Sequence, residues 1–106
     1  MQINILGQET QTVIEIHNIV KTINDTIEIK EKISSILQKN PNEQIILDFI
    51  DTFVIPSALI GILQKFILAD KAKISITARE SQLYELFDNL HLLDQLNVTK
   101  INKQEV

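Results

Sequence analysis

The stretch Asp48-Phe-Ile-Asp-Thr-Phe-Val-Ile-Pro-Ser57-Ala-Leu-Ile-Gly61 decides how this chain folds. It is entered from Gln44 through Ile45, Ile46 and Leu47, a continuous apolar run. That pattern suits a strand covered on both faces in the middle of a mainly parallel sheet. Pro56 pre-sets the backbone for a first helical turn. Leu59, Ile62, Leu63 and Phe66 follow at i, i+3, i+4 and i+7, with Ile60 and Ile67 widening the stripe. The stretch therefore reads strand, loop, helix. A side chain at the first turn of that helix sits where unpaired backbone N–H groups and the positive dipole end favour a phosphate. Ser57 holds that place and is a candidate switch residue; the alternative is that its hydroxyl simply caps the helix.

Moving towards the N-terminus, Asn40-Pro41-Asn42 stops a preceding helix near Gln38, whose buried face is marked by Ile29, Ile33, Ile36 and Leu37. Asp25 and Glu28 have capping-box spacing for its start. Residues 18–24 fit either an extension of a strand or a loop. Ile3 and Ile5, then Val13, Ile14 and Ile16, form two β-like runs around a polar turn, Gly7 to Gln11, which predicts a hairpin. Towards the C-terminus, Lys73 to Thr77 alternates as a strand. Thr77 to Glu80 again has capping-box spacing, and Leu83, Leu86, Phe87 and Leu90 form a helical stripe. Leu96 to Val98 and Ile101 suit a final edge strand before a frayed tail. This order predicts a single α/β domain over residues 1–106. Its sheet is mostly parallel and four- to five-stranded, with an antiparallel N-terminal edge strand, helices packed against it and right-handed crossovers.

Composition bounds the function. An apolar share of 44% with 23% charged residues is that of an ordinary globular chain. Two glycines and two prolines leave little room for long irregular loops. The net charge of −4 and the scattering of lysines among acids argue against nucleic-acid binding. The absence of cysteine excludes disulfides and thiolate chemistry. The start, Met-Gln-Ile-Asn-Ile-Leu-Gly, lacks the pattern of a signal peptide, so a cytoplasmic location is expected. The apolar segment from Ile45 to Ala69 is broken by Asp48, Asp51, Pro56, Gln64 and Lys65; its longest uncharged run, Thr52 to Gln64, is 13 residues, short of the roughly 20 of a spanning helix, so no membrane insertion is expected.

The element order and the quoted stretch together resemble the STAS domain family, named for sulfate transporters and anti-sigma factor antagonists. Its typical segment is an apolar strand ending in Asp or Asn, a short loop, then Phe-Ile-Asp-Ser-Ser-Gly-Leu-Gly leading into a helix. Val54 and Ile55 take the Phe-Ile positions, Ser57 falls on the serine that family members phosphorylate, and Gly61 falls on the last glycine. Three positions depart from the pattern: Pro56 stands for the aspartate, Ala58 for the second serine and Leu59 for the first glycine. The resemblance spans roughly residues 3–101. It implies a protein-docking regulator that uses no cofactor, with Asp51, Thr52, Pro56, Ser57, Ala58, Ile60 and Gly61 as the docking segment. The implied partner is an anti-sigma factor of the serine-kinase-like ATPase kind, captured by the unmodified form and released on phosphorylation. A subunit of a membrane transport complex is the alternative partner. The hairpin and final strand are edges on which a homodimer could also form.

An enzyme is not expected. His17 and His91 have no partners at metal-ligand spacing. Ser57 lacks the Gly-x-Ser-x-Gly elbow. No dinucleotide fingerprint or phosphate loop is present. Asp48 and Asp51 read as one helix-proximal carboxylate and one solvated one, not as a catalytic pair.

Overall fold

The computed structural model describes residues 1–7 and 11–101. Along the chain run β1 (Gln2–Gly7), β2 (Gln11–His17), α1 (Ile23–Lys39), β3 (Gln44–Phe49), α2 (Ser57–Gln64), β4 (Lys73–Ala78), α3 (Ser81–Asn89) and β5 (Val98–Lys100). A π-helical turn, Lys65–Ala69, continues α2. The five strands form one sheet in the order β1-β2-β3-β4-β5, antiparallel between β1 and β2 and parallel elsewhere. The expected α/β architecture and antiparallel edge strand are both present. The polar turn joining β1 to β2 and the tail beyond Ile101 lie outside the described residues.

A strand order that never reverses, with crossovers of one hand, brings every helix to one face. Register places Ile5, Ile14, Leu47 and Ile76 in one row of that face and Ile3, Ile16, Phe49 and Ala78 in the next. Against these rows pack Ile29 and Ile33 of α1, Leu59 and Leu63 of α2, and Leu83 and Phe87 of α3, forming a single buried core. Each such side chain contributes about 1.5–3 kcal/mol. The expectation that β3 is covered on both faces is therefore corrected: the opposite face carries no helix, and Ile46, which points there, is half-buried. The apolar run Ile45-Ile46-Leu47 is a one-faced strand with one extra aliphatic residue.

Asp48 lies on that helix-free face yet is only 5% exposed. Arg79, the chain's one arginine, covers it, with Nε at 3.2 Å from Oδ1 and Nη2 at 3.1 Å from Oδ2. Thr77 donates its hydroxyl to Oδ1 at 2.7 Å. The hydrogen bond to Asp48 raises the Arg79 pKa above its ordinary value, against a smaller opposing effect of burial. Asp48 is thus neither solvated nor helix-proximal. It ties β3 to the end of β4.

Two capping expectations move. Helix α1 begins three residues earlier than Asp25 suggests: Thr22 is the N-cap, its Oγ1 accepting from the Asp25 N–H, while Asp25 Oδ2 accepts from the Thr22 N–H, both at 3.1 Å. The Lys21 N–H at 3.0 Å completes the cradle. These backbone donors, Lys21 first, hold the Asp25 carboxyl below the usual carboxylate range. The box is therefore Thr22–Asp25, not Asp25–Glu28. Thr77, expected to cap α3, is consumed by β4 and Asp48; Glu80 is the N-cap position, without a side-chain cap bond.

Candidate functional site

The loops at the C-terminal ends of β2, β3 and β4 meet at one end of the sheet, the end at which open α/β sheets present ligand-binding residues. Asn18, just past β2, sits in the left-handed region with φ 71°, a conformation that asparagine tolerates better than most side chains. Its backbone is held from both sides. Asp51 accepts from its N–H, and Thr52 donates Oγ1 to its carbonyl at 2.7 Å. The loop after β3 is thereby fastened to the loop after β2. Ile50 N–H donates to the Ile16 carbonyl at 3.0 Å and extends the ladder into this clamp.

From the clamp the chain turns outward. Phe53 and Val54 are 44% and 55% exposed. Ile55 returns to the core at 7% exposure and anchors the far end of the loop. Pro56 follows with φ −67° and ψ 149° as the N-cap of α2, one position earlier than its expected place inside the helix. Its carbonyl accepts from Leu59 and Ile60 N–H at 3.0 and 3.3 Å. Ser57 is thus the first helical residue. Its side chain is exposed and makes no cap bond, so the capping role is not the one it plays here. No hydrogen bond joins Ser57 to either histidine or to either aspartate. His17 Nε2 lies 3.6 Å from Glu15 Oε1 on the helix-free face of β2, and His91 is exposed beyond α3.

Of the segment expected to dock a partner, Ser57, Ala58 and Gly61 are exposed, and Asp51, Pro56 and Ile60 are partly so. Thr52 is fully buried. It offers no surface and acts as the clamp described above. Sequence reasoning passed over the most prominent apolar residues of this end. Phe53 and Ile19, the latter 50% exposed, line an open depression of about 520 Å³. Ile23 and Ile27, on the first turns of α1, are also exposed. Their signal was available: Phe53, Val54 and Ile19 are large apolar residues outside any periodic stripe. The depression is rimmed by Asp25, Asp51 and Glu80, with Lys21 and Met1 also lining it. The arrangement is a mainly apolar surface edged with carboxylates; Ser57 does not line it and follows Phe53 by four residues in the chain.

No protein-family model and no curated protein matches this sequence. Among solved structures the chain is similar to that of the anti-sigma factor antagonist SpoIIAA in its unphosphorylated form, at 13% identity and a TM-score of 0.73, over 97% of this chain and 90% of that one. The likeness is one of fold, and with it the chain is shown to have a STAS-like fold.

Proposed function

We propose that this protein is a non-enzymatic, cytoplasmic regulator of the anti-sigma factor antagonist kind, which docks to a partner protein and is switched by phosphorylation of Ser57. One observation carries the reading. The Ser57 hydroxyl is exposed and unengaged at the first turn of α2, three and four residues after the exposed Val54 and Phe53. Exposed aromatic and aliphatic residues so close in the chain to a modifiable hydroxyl make a surface whose polarity can be changed by one group. Unmodified, it offers apolar contact to a partner. Phosphorylated, Ser57 carries about −1.5 to −2 charges. The helix start would stabilise that charge by about 0.3–1 kcal/mol, while a partner burying it must desolvate it.

The partner class that fits is a serine-kinase-like ATPase, which both binds the surface and modifies it. The test is the affinity of that partner for wild-type protein and for three variants. Phe53→Ala and Ser57→Asp are expected to lose at least ten-fold, and Ser57→Ala to keep wild-type affinity. Equal affinity of all four would sink the reading.

A second reading is favoured by Pro56 and Ala58, which stand where the family's phosphorylated segment has aspartate and serine. In it the same surface docks constitutively to a subunit of a membrane transport complex. A transporter subunit that binds through Phe53 and leaves Ser57 unmodified supports this reading. Among the described residues no helix is long and apolar enough to cross a membrane.

A further inference from the structure

The two edges of the sheet differ in a way the docking surface does not explain. β5 is three residues long and carries Lys100. Short strands and lysine are devices that keep an edge from pairing with another chain. β1, Gln-Ile-Asn-Ile-Leu-Gly, runs six residues with no charge and no proline. Its outer side has no neighbouring strand among the described residues. Antiparallel pairing with β2 uses half of its backbone N–H and C=O groups; the other half point away from the sheet. Ile5 and Leu6 are 46% and 45% exposed, although Ile5 lies on the helix-covered face. The helix layer stops short of this edge.

We propose that β1 pairs with β1 of a second copy of this chain, joining two sheets into one of ten strands. The strand is self-complementary about Asn4. With Asn4 opposite Asn4 of the partner subunit, Ile3 faces the partner's Ile5 and Ile5 faces the partner's Ile3. Gln2 and Leu6 exchange in the same way. A two-fold axis perpendicular to the sheet keeps both helix layers on one side, so this register sets isoleucine against isoleucine on the helix side. On the other side the apolar row Leu6, Val13 and Ile46 ends at the seam, where Leu6 meets the uncharged side chain of the partner's Gln2.

The net charge of −4 does not oppose a second copy at this edge. Among the described residues the acid nearest the seam is Glu15, on β2 opposite Asn4. Its counterpart in the second copy lies three strand spacings away, about 14 Å. That exceeds the Debye length of about 8 Å at physiological salt, so the repulsion between the two copies of Glu15 is screened. The contact is isologous and closes after two chains.

The test is sedimentation equilibrium of the full chain from low-micromolar to near-millimolar concentration, together with amide exchange. The mass is expected to climb to that of two chains as alternate amides of Gln2–Gly7 gain protection. Ile5→Lys, at a half-exposed position, is expected to weaken dimerisation at least ten-fold with unchanged circular dichroism. Leu6→Lys repeats the test from the opposite face of the strand. A single-chain mass across the whole range would overturn the proposal. So would a dimer whose β1 amides exchange at the monomer rate, or one that both lysine variants leave intact.

Discussion

At Arg79 a single side chain decides whether a buried charge is tolerated. Asp48 is 5% exposed and depends on that guanidinium and on Thr77. Arg79→Met leaves the carboxylate with one donor and is expected to lower stability by about 1–3 kcal/mol in urea unfolding. Adding Asp48→Asn to Arg79→Met should recover part of the loss, because the two groups are coupled. Asp25 gives a pH signature of definite sign. Its folded pKa lies below the ordinary 3.8, chiefly because of the Lys21 and Thr22 N–H groups. Its contribution is thus present above pH 3.8 and lost as pH falls through the lower folded value. The stability gap between wild type and Asp25→Asn should narrow below pH 3.8, measured by urea midpoints along an acid series. At Gly61, an added Cβ would meet nothing within 4 Å, and the backbone is ordinary helix. Gly61→Ala should raise stability by about 0.5–1 kcal/mol. No gain in melting temperature would mean that α2 is frayed.

At the scale of elements, the sequence was most legible where periodicity was strong. Gln44–Phe49 and the helices marked by Ile29 and Ile33, by Leu59 and Leu63, and by Leu83 and Phe87 stand where their apolar spacing put them. Helix starts were less legible. Several hydroxyl and carboxyl residues had the right spacing, and tertiary contacts chose among them: Thr77 went to Asp48 and Thr22 became the cap of α1. Thr22→Ala should therefore cost about 1 kcal/mol, with circular dichroism and amide exchange showing loosening confined to the first turn of α1. The candidate site was half legible. Ser57 and its neighbours stand at the helix start as the order of elements required. Thr52, read as surface, is buried because Asn18 adopts a left-handed backbone whose carbonyl needs a donor. No local pattern announces a contact between residues so far apart in the chain.

Across the whole molecule, one choice of topology explains what composition could not. Because the strands are laid down in sequence order and the crossovers share a hand, all three helices stack on one face, and the sheet's other face keeps a mixture of Glu15, Asp48, Thr77 and Arg79. A continuous aliphatic run cannot tell a one-faced strand from a two-faced one, which is why Ile46 misled. The same topology leaves the loop after β3 to lead into α2 at the sheet's C-terminal end, where Phe53 and Val54 are held outward between the anchors Thr52 and Ile55 and Ser57 is exposed just beyond them. The measurement that tests the proposed switch most directly is mass spectrometry of the intact protein and its peptides after incubation with ATP and its cognate serine kinase. The account predicts one added phosphate, carried by Ser57 and absent from Ser57→Ala. Unmodified protein, or phosphate on a different hydroxyl, would contradict it.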